Sequence, residues 1–183
     1  MSKYTTLILI SVIIVIVFLI GVYFFALPEP STLPNPNPSI TTFEECLIAG
    51  NPVMESYPRQ CRSGEQVFVE YIGNELEKTD LIQIDTPRPN QKITSPLKIS
   101  GKATGLWFFE GSFPIKLLDE QGNELVSHYA QAKGEWMTEE FVNFESEIEF
   151  KVPESSTGIL ILEKDNASGI PSGDDEVIVP VKF

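Results

Sequence analysis

The feature that most constrains this chain is an uncharged apolar block near its N-terminus. Residues 5–26 contain no Asp, Glu, Lys or Arg. At a rise of about 1.5 Å per residue, a helix of this length crosses the roughly 30 Å hydrocarbon layer of a bilayer. The block therefore predicts a transmembrane anchor within residues 1–26. A cleaved signal peptide is the alternative, but its apolar part is typically only about 7–15 residues long and ends in a small-residue cleavage site.

The charges beside this block predict its orientation. Lys3 precedes the block, and the next basic residue after it is Arg59. Because positive flanks stay in the cytoplasm, we expect a single-pass protein of the cell membrane with a cytoplasmic N-terminus and an extracytoplasmic C-terminal part. The net charge of -13 argues against nucleic acid as a partner, because phosphate contacts need clustered Lys and Arg.

Residues 27–40 follow as a stalk. Prolines recur along LPEPSTLPNPNPS, and they favour an extended polyproline conformation over helix or sheet. The predicted task of this stretch is to hold the folded part away from the membrane.

Residues 41–73 predict a small α+β module. Thr42 with Glu45 three residues later forms a capping-box pattern, and Gly50 suits the end of a helix. We therefore expect a short helix over residues 43–49. Two stretches rich in strand-forming residues, 60–62 and 66–70, are then predicted to form a hairpin.

The two cysteines of the chain, Cys46 and Cys61, both lie in this module. An extracytoplasmic location is oxidising, so a disulfide between them is the prediction. Closing a loop of about 15 residues stabilises a fold by roughly 3 kcal/mol in the chain-entropy model, which substitutes for a large core. A zinc site is disfavoured because the sequence offers one distant histidine.

Residues 80–183 carry a different pattern, since alternation of apolar and polar residues at period two replaces helical periodicity. Short strands without intervening helices favour a mainly β fold, an antiparallel sandwich of seven strands. The predicted strands are 81–85, 97–103, 113–119, 124–132, 144–152, 158–163 and 176–183.

Several separated motifs give this region a resemblance to a known family. They are Ser95-Pro96 with Ser100-Gly101, the block Trp107-Phe108-Phe109-Glu110, Gly134 before Trp136, and Asp165-Asn166 before Ser168-Gly169. Residues 82–183 resemble the immunoglobulin-like domain of bacterial spore germination proteins. The resemblance implies an immunoglobulin-like fold and an extracytoplasmic accessory role, with no catalytic residues to transfer. Residues 43–61 resemble a short cysteine-paired module of bacterial envelope proteins.

Aromatic residues in the connections are candidates for ligand binding. Trp107, Phe108 and Phe109 lie between two predicted strands, Glu110 follows them directly, and Trp136 lies in a later connection. Aromatic rings on a rigid end loop bind sugar rings or protein side chains. The alternatives are that the rings cover the end of the core, and that Glu110 is partly buried and holds the loop through hydrogen bonds.

Oxygen-bearing side chains gather near the C-terminus, at Asp165, Asn166, Asp174 and Asp175. Such ligands suit Ca²⁺, although their spacing does not match an EF-hand loop. The alternative is a solvated turn, since Asp and Asn also form turns. No other cofactor is expected.

The sequence favours binding over catalysis. The sole histidine, His128, follows Ser127 within a predicted strand, where neighbouring side chains point to opposite faces. No phosphate loop is present. We therefore expect a non-catalytic interaction module of the bacterial cell envelope, held by residues 5–26 in the membrane, whose partner is an envelope protein or a glycan. The alternatives are a structural spacer of an envelope complex and a glycan-binding or glycan-cleaving protein.

Overall fold

The computed structural model describes residues 40–183, and residues 41–183 form one compact unit. The predicted anchor and nearly all of the predicted stalk lie outside the described residues. Among residues 40–183, no helix has both the length and the apolar character needed to cross a bilayer.

The module begins with helix α1, Phe43–Ile48. The predicted capping box is present: the Thr42 hydroxyl accepts a hydrogen bond from the Glu45 amide at 3.1 Å, and the Glu45 carboxylate accepts one from the Thr42 amide at 3.2 Å. Phe43 and Cys46 form the buried side of the helix. Gly50, in the left-handed region at φ 75°, follows its end.

A three-stranded antiparallel sheet completes the module, with strands β1 (Val53–Met54), β2 (Gln60–Ser63) and β3 (Gln66–Val69). The predicted hairpin is confirmed, because β2 and β3 pair in register across a tight turn. The predicted disulfide is also confirmed: Cys46 in α1 is bonded to Cys61 in β2, and both residues are fully buried.

Eight further strands form the larger β domain. Their hydrogen-bonded order is β4-β6-β9-β8-β7-β10-β11-β5. The bounds are β4 Ile82–Thr86, β5 Gln91–Lys92, β6 Leu97–Thr104, β7 Ser112–Asp119, β8 Glu124–Ala132, β9 Phe141–Ile148, β10 Thr157–Glu163 and β11 Glu176–Lys182.

The ladder of strands folds over where β8 meets β9. These two strands pair only at Gln131 with Glu145 and at Ala132 with Phe144. The strands on the two sides of this fold face each other. The rings of Phe113 in β7 and Phe144 in β9 pack edge to face, with their centroids 4.9 Å apart. Apolar residues of both halves belong to one buried cluster, as expected of a sandwich.

The number of strands differs from the prediction. All seven predicted strands are present, but the sandwich has an eighth, β5, which pairs in parallel with β11. A strand of two residues is too short to show an alternating pattern, so β5 could not be predicted from the sequence. Strand β9 also begins earlier than predicted, because Phe141 pairs with Thr104, and it ends earlier, because the Phe150 amide donates to the Ser95 hydroxyl at 3.0 Å.

The module is joined to the sandwich by buried charged and polar groups. Glu70, at the end of the module's hairpin, accepts two hydrogen bonds from Arg59 at 2.7 and 2.5 Å and one from Asn90 of the sandwich at 3.1 Å. Arg88 of the sandwich bonds Glu75 at 2.7 Å and the Tyr57 hydroxyl at 2.7 Å. We call this region, residues 57–90 with their contacts on β11, the junction.

Main-chain contacts fix the junction further. The side-chain carbonyl of Asn74 accepts a hydrogen bond from the Ile178 amide at 2.7 Å, and its NH₂ donates to the Glu176 carbonyl at 3.0 Å. Gly73, at φ 78°, lies so close to β11 that an added Cβ would be 1.8 Å from the Ile178 carbonyl oxygen. Only glycine fits this approach.

Candidate functional site

Three connections meet at one end of the sandwich. They are residues 105–111 between β6 and β7, 133–140 between β8 and β9, and 164–175 between β10 and β11. The Asp165 amide donates to the Trp107 carbonyl at 3.0 Å, which ties the third connection to the first. Gly105 is packed so tightly on the second that an added Cβ would be 1.9 Å from the Thr138 carbonyl oxygen. We call this surface the loop end.

The three consecutive aromatic residues divide between core and surface. Trp107 and Phe108 are 1% and 4% exposed, and Phe108 packs against Phe113 with ring centroids 5.3 Å apart. Phe109 is 44% exposed. Of the block, therefore, one aromatic ring is available to a ligand, and the other two cover the end of the core.

Glu110 occupies the tip of a tight turn. Phe109 and Ser112 exchange two backbone hydrogen bonds, at 2.9 and 3.1 Å, around Glu110 and Gly111. Both turn residues have positive φ, 50° and 77°, as this type of hairpin turn requires. The turn projects Glu110 into solvent, so the expectation of a partly buried Glu110 is wrong.

Trp136 supports the loop end from the second connection. It is half-buried and packs against the core cluster. A Cβ added to Gly111 would lie 3.2 Å from its indole ring, so the ring stands directly behind the Glu110 turn. The sequence-predicted aromatic candidates are thus neighbours in space.

The predicted acidic ligands line a groove beside this turn. The groove has a volume of about 650 Å³. Among the residues that line it are Asp165, Asn166, Asp174 and Asp175, together with Lys164 and Glu163. Asn166 donates to the Asp174 carboxylate at 2.7 Å, and Asp175 pairs with Lys78 at 2.6 Å.

No metal centre is evident in the part of the chain that the structure describes. Within residues 40–183, no three His, Cys, Asp or Glu side chains form a group that could hold a metal ion. The calcium site therefore stays a prediction.

One carboxylate of the groove has an altered pKa. Burial raises the pKa of Asp165, and repulsion from the Glu110 carboxylate raises it further. The charged form of Asp165 is therefore disfavoured, and a positive charge arriving between Asp165 and Glu110 would relieve both effects.

Sequence reasoning missed the apolar part of the loop end. Leu106, Met137 and Ile170 are 70%, 73% and 60% exposed, and each belongs to a different connection. An exposed apolar residue is ordinary by itself. The only available signal was that each lies in a glycine-containing connection next to a candidate residue, and nothing in the sequence showed that the three connections meet.

Comparison with known proteins supports the fold. Residues 81–169 match the family described as the immunoglobulin-like domain of bacterial spore germination. The predicted resemblance is thereby confirmed over these residues. No curated protein and no solved structure matches the chain.

Proposed function

We propose that this immunoglobulin-like domain is a non-catalytic binding module of the bacterial cell envelope, and that its loop end contacts a protein partner. Residues 5–26 anchor it as a single-pass membrane protein, and residues 27–40 space it from the bilayer. The folded part lies on the extracytoplasmic side, where the Cys46–Cys61 disulfide is stable.

The observation that carries this proposal is the cluster of exposed apolar side chains at the loop end. Leu106, Phe109, Met137 and Ile170 are all more than two-fifths exposed and come from three connections that touch one another. Large apolar side chains that share one surface are typical of interaction sites, whereas scattered ones are not.

The framework beneath these side chains is rigid. Trp107 and Phe108 lie in the core directly beside Phe109, and the Glu110 turn is closed by two hydrogen bonds. Loops on a fixed sandwich are the general binding device of immunoglobulin-like folds. A preorganised surface loses little conformational entropy on binding, which favours recognition.

A structural spacer is the second candidate, and the junction favours it. The module is fixed to the sandwich by Asn74, Gly73 and two buried carboxylates. A rigid unit of this kind would hold its neighbours in a complex at a fixed distance from each other. A spacer, however, has no need for exposed apolar side chains on its loops.

Site-specific photo-crosslinking in native cells tests the proposal. A photo-reactive amino acid replaces Phe109 or Met137 in the full chain, and Gln121 in the β7–β8 turn at the opposite end serves as the matched control. We expect a discrete crosslinked protein from positions 109 and 137 but not from 121. Equal labelling at all three positions, or none at 109 and 137, would contradict the proposal.

A further inference from the structure

We infer that the partner of the loop end presents a cationic polypeptide surface that combines Lys or Arg with apolar side chains. This inference rests on the proposed function and names the class of partner for the same site. It follows from how charge and apolar area are distributed over the three connections.

The exposed apolar side chains belong to connections that contact one another. Leu106 and Met137 flank the contact in which Gly105 meets the backbone of Trp136 and Thr138. Phe109 borders the Glu110 turn, which rests on the Trp136 ring. The hydrogen bond from Asp165 to Trp107 brings the connection with Ile170 to the same end. A partner that covers this surface must therefore supply apolar side chains.

The charges of the same surface are mostly negative. The three connections, 105–111, 133–140 and 164–175, contain two basic residues, Lys133 and Lys164. They contain seven acidic residues: Glu110, Glu135, Glu139, Glu140, Asp165, Asp174 and Asp175. All seven are exposed except Asp165 and Asp175, which are half-buried.

Cations neutralise only part of this field. Lys133 forms an ion pair with Glu145 of β9, and Asp175 pairs with Lys78 of the junction. Lys164 lies in the lining of the groove beside Asp165. The excess of carboxylates therefore attracts cations and repels anions, over a range of about 8–10 Å at moderate salt.

This combination separates the classes of partner. Phosphate-rich polymers and anionic membrane surfaces are repelled by the net negative charge of the loop end. A free metal ion makes no use of Phe109 or Ile170. A neutral sugar gains nothing from the acidic field. A polypeptide with Lys or Arg among apolar residues uses both properties, and its cations also relieve the repulsion between Glu110 and Asp165.

A labelled peptide is the probe for this inference. It contains lysine and tryptophan separated by glycine, and a matched peptide has glutamate in place of lysine. Binding to the full chain in neutral detergent micelles is followed by fluorescence anisotropy, with empty micelles as the blank. We expect the lysine peptide to bind about tenfold more tightly than the glutamate peptide at low salt, and we expect salt to weaken it.

Matched charge variants locate the site. The triple variant Glu110→Gln, Asp165→Asn, Asp174→Asn is expected to weaken binding of the lysine peptide about fivefold or more, because it removes three carboxylates that attract the lysine. The control Glu120→Gln, Glu124→Gln, Glu154→Gln removes the same charge from exposed residues away from the loop end. It is expected to change affinity by less than about twofold. The double variant Phe109→Ser, Ile170→Ser tests the apolar contribution and is expected to weaken binding at unchanged net charge.

The possible failures have distinct meanings. Equal weakening by the two triple variants would overturn the inference, because binding would then reflect net charge alone. Tighter binding of the glutamate peptide, sensitive to Phe109→Ser, would also overturn it but would leave the loop end as a binding surface. The proposed function has its own test and fails if the photo-reactive residues at 109 and 137 capture no protein in cells or label no better than the residue at 121.

Discussion

The junction and the loop end use their polar and apolar groups in opposite ways. At the junction, Glu70 and Glu75 are each only 7% exposed, and Arg59 and Arg88 bond them. At the loop end, carboxylates stand in solvent beside exposed apolar side chains. Contacts within the chain thus bury and pair the carboxylates of the junction and leave most carboxylates of the loop end in solvent. The comparison indicates that the junction serves stability and that the loop end serves recognition.

The largest expected effect is on the free energy of unfolding, and it distinguishes the buried from the exposed residues of the aromatic block. Trp107→Ala should cost about 3–5 kcal/mol of unfolding free energy, because it removes a fully buried ring. Phe109→Ala should cost less than about 1 kcal/mol, because the residue is already 44% exposed. Urea denaturation of the full chain in detergent measures both. Similar costs for the two variants would mean that Phe109 is part of the core.

Removal of the disulfide is expected to have the second-largest effect on the free energy of unfolding. The double variant Cys46→Ser, Cys61→Ser should lose about 3 kcal/mol in the chain-entropy model, because it releases a closed loop with a sequence separation of 15. The loss should concentrate in the module, and amide hydrogen exchange should show faster exchange in α1 than in β7. Uniformly faster exchange would show instead that module and sandwich unfold together.

Glycine at the junction gives a matched comparison. Gly73→Ala combines an unfavourable positive φ, about 1–2 kcal/mol, with a steric overlap of about 1–3 kcal/mol against Ile178. Gly64→Ala shares the positive φ, 61°, but meets nothing within 4 Å. The difference between the two denaturation midpoints therefore measures the contact alone. Equal midpoints would show that the junction is not packed as described.

The smallest expected effect concerns pH at the junction. The hydrogen bonds from Arg59 hold the pKa of Glu70 below its ordinary value of 4.5. A lowered pKa in the folded state means that this stabilisation is present above pH 4.5 and is lost as the pH falls toward the folded-state pKa. Glu70→Gln should cost about 1–3 kcal/mol at neutral pH and should flatten the loss of stability below pH 4.5.

The exposed Glu65 on the same hairpin provides the control for this prediction. Glu65→Gln should leave the pH profile unchanged. The account of the junction fails if Glu70→Gln has the same small effect as Glu65→Gln.

Local signals explain what could be predicted from the sequence. The Thr42–Glu45 capping box, the hairpin of β2 and β3 and the alternation along β7 all depend on residues close together in the chain, and all were correct. The Cys46–Cys61 pairing was predictable because no other cysteine exists. The immunoglobulin-like fold of the sandwich was also predictable, because the motifs of residues 81–169 match a known family.

Contacts between distant residues could not be predicted in the same way. The bonds of Asn74 to Ile178 and Glu176 span more than 100 residues, and asparagine in a turn has many ordinary explanations. Glu110 is exposed because it shares a tight hairpin turn with Gly111. The three aromatic residues before it predicted a buried environment instead. The meeting of Leu106, Met137 and Ile170 follows only from the order of strands in the sandwich.

The most direct test measures stability and partner capture on one variant, Phe109→Ala, in the full chain with the photo-reactive residue at position 137. We predict a denaturation midpoint close to that of the parent chain and a clear loss of the crosslinked protein. An unchanged yield of crosslinked protein would contradict the account, because the exposed ring at the loop end would then take no part in recognition.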